Sequence, residues 1–248
     1  MVRNEVAQAE STRLRVTKRA RNDLAQYDDL VSEWWRPDGA FAALHWLAAA
    51  RRSIIPQPAG ADEVLLDVGC GGGLLADPTS RYFHVGIDLT TSALHQAQSH
   101  AVCPIQADAA SLPLATGSAA VVVAGEILEH VEDLNAVVAE LCRVLKPGGT
   151  VVIDTINDTM LAKFALVTVA ERLPGGPPPG IHDPRLFVSP ERLSRLFADH
   201  GVALSLWGLR PCLRDYARFL FDRRRPVRMV RTKSVALVYQ GIGTKDAA

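Results

Sequence analysis

Apolar runs alternate with amphipathic stretches along most of the chain, and the pattern becomes regular at Val64. Residues 64–66 are continuously apolar, which is typical of a parallel strand buried on both faces, and they predict a first strand over 64–68. Comparable runs predict further strands at about 83–87, 102–107, 119–125 and 150–156. Residues 133–145 carry apolar positions at helical spacing, with Asp133 as N-cap. Strands that alternate with helices predict an α/β fold with a parallel sheet.

The alternation loosens after the fifth predicted strand. Residues 160–173 are apolar, and a proline- and glycine-rich loop over 174–180 follows them. Two last strands are predicted at 203–207 and 234–240, as antiparallel partners joined by a basic insert over 209–233. The whole pattern predicts a Rossmann-like, seven-stranded sheet with helices on both faces. The helix between the first two strands should be short, because Pro78 interrupts it.

The region before the sheet divides into two parts. Residues 1–26 are polar and mixed in charge, and they predict a flexible N-terminal arm. Residues 27–60 hold three of the four tryptophans, and this much apolar area predicts a helical lid that folds over something. Residues 27–248 would then form one domain, with the lid at 27–60, a ligand-binding half at 62–156 and a second half at 157–248.

Composition argues against several classes of protein. Lysine plus arginine equals aspartate plus glutamate at 27 each, so the chain lacks the basic field that nucleic acid binding requires. No apolar run reaches the roughly 20 residues of a membrane span. The four cysteines lack the CxxC spacing of metal and redox sites and are interpreted as reduced. We therefore expect a soluble cytoplasmic protein, peripheral at most to the inner face of a membrane.

A glycine-rich turn follows the first strand directly and is the strongest candidate for chemistry. It contains Asp67, Gly69, Gly71 and Gly73 at alternate positions. Glycines let the backbone approach a ligand closely because no Cβ intervenes. A P-loop is excluded since no Gly-Lys-Ser/Thr follows, and a dinucleotide fingerprint is disfavoured by Leu74, where glycine or alanine is expected. The alternative is a turn that merely packs a helix against the sheet.

The D-x-G-x-G-x-G pattern resembles the first motif of the class I S-adenosylmethionine-dependent methyltransferases. The resemblance implies that the turn accommodates the amino-acid end of the cofactor. It also implies that the acid ending the next strand, Asp88, binds the ribose hydroxyls. A carboxylate accepts two hydroxyl protons well, and it would repel the 2′-phosphate of NADP.

Four stretches in order sharpen this resemblance, and they cover about residues 20–200. They are SEWWRPDGAFAALH, LLDVGCGGGLLA, EILEHVED and GIHDPRLFVSPERL. Together they resemble the ubiquinone-biosynthesis O-methyltransferase family, which methylates polyprenyl catechols and hydroxyquinols. The lid departs from that family at Arg36, Ala42 and Ala48, and the tail beyond 209 does not visibly match.

The resemblance assigns site residues by position. Contacts to the cofactor would come from the glycine turn and from residues on other elements: Arg51, Asp67, Gly69, Gly71, Gly73, Asp88, Asp108 and Gly125. Arg51 would bind the methionyl carboxylate, for which its fork of donors is suited, and Asp108 would lie near the adenine amine. The alternative for Arg51 is a surface arginine beside Arg52.

A divalent metal position is implied at Glu126, Glu129 and His130, with Mg²⁺ or Zn²⁺ as the ion. The alternative is a pair of acids at a helix start with a capping histidine. Glu129 and His130 would be catalytic through this site. His182 is a second candidate base, which Asp183 would orient, and His45 in the lid could contact the acceptor.

We therefore expect an S-adenosylmethionine-dependent O-methyltransferase acting on a phenolic or catechol hydroxyl of a quinone precursor. Two alternatives remain: a methyltransferase of a secondary-metabolite small molecule, and a non-catalytic cofactor-binding component of a quinone-synthesis complex. The apolar 160–173 stretch and the arginine-rich 209–233 insert are suited to an anionic membrane or a prenylated acceptor. The alternative is a core or dimer helix beside a solvated loop.

Overall fold

A mixed sheet of eight strands forms the centre of the computed structural model, which describes residues 19–60 and 62–247. The strand order is β3-β2-β1-β4-β5-β8-β6-β7, with β1 to β5 mutually parallel and β8, β6 and β7 joined by antiparallel pairing. The strands are β1 Val64–Val68, β2 Phe83–Asp88, β3 Cys103–Gln106, β4 Ala119–Gly125, β5 Leu145–Ile156, β6 Val202–Pro211, β7 Met229–Thr232 and β8 Val238–Lys245.

The helices lie before the first strand and between the later ones. They are α1 Ala25–Asp29, α2 Ala42–Arg52, α3 Thr91–Gln98, α4 Leu134–Val144, α5 Pro190–Ala198 and α6 Leu213–Phe221. Asp133 begins α4 by accepting a hydrogen bond from the Ala136 backbone N–H, as its sequence position predicts. The 160–172 segment is irregular: one helical turn leads into a π-helix over Lys163–Val169 and a 3₁₀ turn.

Successive residues of β1 show that both faces of the sheet are covered. Leu66 packs in the main core with α4 and α5, whereas Leu65 packs on the opposite side with Leu75 and Val121. A strand alternates its side chains between faces, so a continuous apolar run requires cover on both sides. The α/β fold with helices on both faces is thus confirmed.

The C-terminal part of the structure differs from the sequence prediction. The sheet has eight strands rather than seven, because β7 lies within the 209–233 insert and pairs with β6. The insert also contains α6, so it is not a solvated loop. The last strand begins at Val238, four residues later than predicted.

No helix forms between β1 and β2; residues 71–75 are turns instead. Gly71 and Gly73 both have positive φ, at 51° and 79°, and a right-handed helix cannot contain such residues.

The 27–60 region contains the end of α1, a 3₁₀ turn and α2. Its aromatic side chains pack together: Trp34 and Phe41 are buried, and their rings stack with centroids 4.3 Å apart. Of the predicted flexible arm, residues 1–18 lie outside the described residues. Residues 21 and 22 are anchored by hydrogen bonds to the 171–182 region and to His130. None of the described helices is long and apolar enough to cross a membrane.

Candidate functional site

A cavity of about 460 Å³ lies at the carboxyl ends of β1, β2 and β4. Ligands of open α/β sheets bind at this edge. The glycine turn, the end of β2 and the β4–α4 loop line the cavity. Many apolar residues from the lid, the 160–182 region and the insert also line it, among them Ala43, Leu44, Trp46, Leu166, Leu173, Pro177, Leu213, Tyr216 and Met229.

The glycine turn has the conformation that its sequence predicts. Gly69, Gly71 and Gly73 all have φ between 51° and 79°, a region that side chains rarely adopt. A Cβ on Gly71 would lie 2.3 Å from the Trp34 ring, and a Cβ on Gly69 would lie 2.5 Å from Ile127. The backbone of the turn is therefore in direct contact with the lid on one side and with the β4–α4 loop on the other.

Asp88 ends β2 and binds the glycine turn. One carboxylate oxygen accepts from the Gly71 N–H at 2.9 Å and the other from the Thr90 N–H at 2.8 Å. Each oxygen retains a further lone pair, which a sugar hydroxyl can use. Burial raises the pKa of Asp88, while the two backbone donors oppose that shift.

Two further predicted acids also line the cavity. Asp67 is buried and lies 3.6 Å from the His84 ring, and Asp108 accepts from the Ala110 N–H.

Arg51 is buried on α2 and contacts the end of β4. Its Nε lies 2.7 Å from Oδ2 of Asp154 on β5. A Cβ on Gly125 would lie 2.3 Å from Nη1 of Arg51, so only glycine leaves room for the guanidinium. Arg51 lines the cavity, so the interpretation of Arg51 as a surface arginine is wrong. Burial opposes the charge of Arg51, but Asp154 and other acids more than compensate and raise its pKa.

Glu129, His130 and His182 bring their ligand atoms within 4.8 Å of one another. Glu129 Oε2 accepts from the Thr155 hydroxyl at 2.7 Å, whereas Oε1 of Glu129 and Nδ1 of His182 are buried without a partner among the described residues. Burial raises the pKa of Glu129 to about 7 and lowers the pKa of His130 to about 4. One carboxylate and two imidazoles with unused donor atoms fit the ligand preference of a divalent transition metal.

The third residue of the predicted metal site, Glu126, lies outside this group. It is the only position in the β4–α4 loop with positive φ, at 55°, and its buried carboxyl interacts with Asp154 and Arg51. Burial and the neighbouring acids raise its pKa well above the usual value. The candidate metal ligands in the structure are therefore Glu129, His130 and His182. His182, which the sequence predicts as a separate base, takes the place of Glu126.

The roles predicted for Asp183 and His45 are also wrong. Asp183 does not orient His182; both its oxygens accept from Arg185 Nε at 3.0 Å. His45 does not line the cavity, because its Nε2 lies 2.8 Å from the backbone oxygen of Trp34 inside the lid.

Three site residues were missed by the sequence analysis. Arg21 binds Glu171 and the His182 backbone oxygen, both at 2.8 Å, and Asn22 contacts His130. No local pattern marks Arg21 and Asn22, because they lie in a polar stretch. Asp154 could have been found, since it is a lone acid within the apolar run of β5.

This fold, with a glycine turn and an acid at the ends of neighbouring strands, defines a class I S-adenosyl-L-methionine-dependent methyltransferase. The sequence pattern of the methyltransferase domain family matches residues 66–153. Two similar proteins are ubiquinone biosynthesis O-methyltransferases: one from Caulobacter vibrioides, 33% identical over 73% of this chain and 81% of its own, and one from Cupriavidus pinatubonensis, 34% identical over 73% and 77%. The chain belongs to the ubiquinone biosynthesis O-methyltransferase family.

A solved structure from Thermotoga maritima shares the fold. It is an S-adenosylmethionine-dependent methyltransferase, described as a possible histamine N-methyltransferase, with a TM-score of 0.64 and 17% identity over 89% of this chain and 98% of that one. At this identity, the likeness concerns the fold alone.

Proposed function

We propose that this protein transfers a methyl group from S-adenosylmethionine to a hydroxyl of a catechol-like quinone precursor with an apolar tail. One observation carries the proposal: a single cavity is lined by Asp88, by His130 and His182 beside the buried Glu129, and by many apolar residues. The first part suits a nucleoside sulfonium, the second an ionisable hydroxyl, and the third a prenyl chain. The names of the similar proteins point to the same substrate class.

Methyl transfer from a sulfonium is an in-line displacement, so the protein must hold the donor, deprotonate the acceptor and exclude water. Asp88 would accept the ribose hydroxyls, and Arg51 would attract the methionyl carboxylate. The acceptor O–H would lose its proton to Glu129 or to the neutral ring of His130. The oxygen would then attack the methyl carbon, while the carbon–sulfur bond breaks and leaves a neutral thioether. Trp34 and Phe41 would keep water away.

The donor set at Glu129, His130 and His182 would hold Mg²⁺ or Zn²⁺, with Glu126 as a nearby additional acid. A bound divalent ion would supply a positive charge that lowers the pKa of the acceptor hydroxyl. Nδ1 of His182 and Oε1 of Glu129 are buried, have no hydrogen-bond partner among the described residues, and would serve as ligands of that ion.

Turnover by the full-length protein tests the proposed reaction. The protein is incubated with S-adenosylmethionine and either a catechol bearing a short prenyl chain or the same catechol without the chain. We expect a product one methylene heavier by mass spectrometry, with a lower KM for the prenylated acceptor. Equal KM values would favour a small secondary-metabolite phenol. Donor binding without a product from either acceptor would favour the non-catalytic alternative.

We also propose contact with an anionic membrane surface. Met160, Phe164, Leu213 and Phe221 are more than half exposed, and Phe221 is 94% exposed. Exposed arginines lie around α6, namely Arg210, Arg214, Arg218, Arg224 and Arg225. Apolar side chains flanked by cationic ones favour an anionic lipid interface, where a prenylated acceptor would reside.

Flotation with vesicles tests this contact. The protein should float with vesicles that contain phosphatidylglycerol but not with phosphatidylcholine alone. The Phe221→Asp variant should float less, whereas Phe83→Asp, a change at another exposed aromatic residue, should behave as the original protein. No flotation with anionic vesicles would contradict the proposal.

A further inference from the structure

The Asn22 side chain makes two hydrogen bonds to one residue of the site, His130. Its Nδ2 donates to the His130 backbone oxygen at 2.9 Å, and its Oδ1 lies 2.6 Å from the His130 ring Nδ1. The two residues are 108 positions apart in the chain.

The hydrogen bond to the backbone oxygen fixes the orientation of the Asn22 side-chain amide. A backbone carbonyl oxygen can only accept, so the amide nitrogen of Asn22 must face it. The amide oxygen then faces Nδ1 of the ring, and an oxygen can only accept there as well. Nδ1 of His130 must therefore carry a hydrogen. In the neutral ring, the form that can act as a base or as a ligand, Nε2 then carries the lone pair.

We propose that Asn22 is a positioning residue that fixes His130 in its Nδ1–H tautomer and holds the ring plane. Acid–base or ligand chemistry at His130 depends on which nitrogen has the lone pair. Asn22 stabilises one tautomer of the His130 ring through an uncharged amide. An acid in this place would add a charge to a buried site that already contains Glu126 and Glu129.

The backbone holds Asn22 in place. Its φ is 62°, a left-handed conformation that asparagine tolerates better than most residues. Its backbone N–H donates to the Gly180 oxygen at 3.1 Å. The preceding Arg21 binds Glu171 with both terminal nitrogens, and Glu171 also accepts from the Gly180 N–H. These bonds connect Asn22 to the loop that carries His182, so both histidines share one support.

The role of Asn22 in catalysis rests on the proposed function, but the tautomer does not. The full-length protein is therefore labelled with ¹⁵N-histidine, and ring signals are recorded by long-range ¹H–¹⁵N correlation. The His130→Gln variant assigns the His130 signals among the seven histidines. Turnover and donor affinity are measured on the same samples. Gln26→Ala is the matched control, because Gln26 bonds the same loop through the Pro179 oxygen without contacting His130.

We expect the Nδ1–H pattern in the original protein and in Gln26→Ala. Asn22→Ala should show the Nε2–H form or a mixture, and its kcat should fall about tenfold to about hundredfold with donor Kd within about twofold. Asn22→Asp keeps the acceptor oxygens and should keep the Nδ1–H form. If Asn22→Ala does not fold, this second variant and the original protein still give the tautomer.

Three results would overturn the proposal: an Nε2–H ring in the original protein, an unchanged ring pattern in Asn22→Ala, or a changed pattern with unchanged kcat. If no acceptor is turned over by any variant, the proposed function fails. The ring spectra then still decide whether Asn22 sets the tautomer.

Discussion

Arg51 and Asp154 form a buried ion pair, with 2.7 Å between Nε and Oδ2, beside the end of β4. The two residues come from the lid helix α2 and from β5, so the pair connects the lid to the sheet. Removal of one partner from a buried pair leaves an uncompensated charge, which is strongly destabilising. The placement of the guanidinium therefore depends on Asp154 on one side and on Gly125 on the other.

Gly125→Ala should weaken donor binding. Its new methyl group would lie 2.3 Å from Nη1 of Arg51 and would displace the guanidinium from the cavity wall. We expect the Kd for S-adenosylmethionine to rise by about tenfold or more, since a hydrogen bond to a charged group is lost. Calorimetry measures this change. Gly60→Ala is the control because its Cβ would meet no described residue within 4 Å, and equal affinity in the two variants would contradict the role of Arg51.

Asp88→Asn should weaken the binding of S-adenosylmethionine and of its demethylated product to the same extent. The amide keeps the size of the carboxylate but sets an NH₂ group against the Gly71 or Thr90 N–H, and it loses an acceptor for the ribose. Kd should rise about tenfold to about hundredfold for both ligands. Asp77→Asn serves as the comparison, since Asp77 is exposed and its side chain bonds only Thr79 among the described residues. A wild-type Kd in Asp88→Asn would refute the ribose contact.

Chelation tests the metal. Dialysis against a chelator should lower turnover at least about tenfold, as loss of a ligand set does in metal sites, and Mg²⁺ or Zn²⁺ should restore it. In Glu129→Gln we expect no restoration, while donor Kd stays within about twofold. Glu191→Gln changes an exposed acid of α5 and should respond as the original protein does. Turnover that is insensitive to chelation would eliminate the metal and leave Glu129 or His130 as the base.

Trp34→Ala should lower the free energy of unfolding by about 3–5 kcal/mol, the usual range for a buried large aromatic side chain. Trp34 is 5% exposed, stacks on Phe41 and covers Gly71 and Gly72. Urea denaturation followed by circular dichroism gives the value. Phe221→Ala, at a residue that is 94% exposed, should change stability by no more than about 0.5 kcal/mol. Similar losses in both variants would show that Trp34 is not part of the core.

The sequence predicted the elements whose signal is local. The continuous apolar run of β4 has the predicted bounds, Ala119–Gly125, and Asp133 caps α4 as its position indicates. The glycine turn and Asp88 are adjacent in space because parallel strands bring their carboxyl ends to one edge. These features follow from side-chain period and strand direction alone.

Long-range contacts could not be predicted in this way. Asn22 lies in a polar stretch, and nothing in that stretch indicates a bond to His130. The grouping of His182 with Glu129 likewise depends on how the proline- and glycine-rich loop returns to the sheet. Glu126 is not grouped with Glu129 and His130, because it has a positive φ and its side chain interacts with Asp154. The local sequence does not predict this conformation at a glutamate.

The long-range hydrogen bonds of Arg21 and Asn22 also have a consequence for folding. Arg21 and Glu171 are 150 positions apart, and loops of that length close late because their ordering entropy must be offset by contacts formed earlier. During synthesis the N-terminal residues leave the ribosome first and have no partner until β4 and the 160–182 region have followed. We therefore expect the wall of the cavity that holds His130 to form late in folding, after most of the sheet.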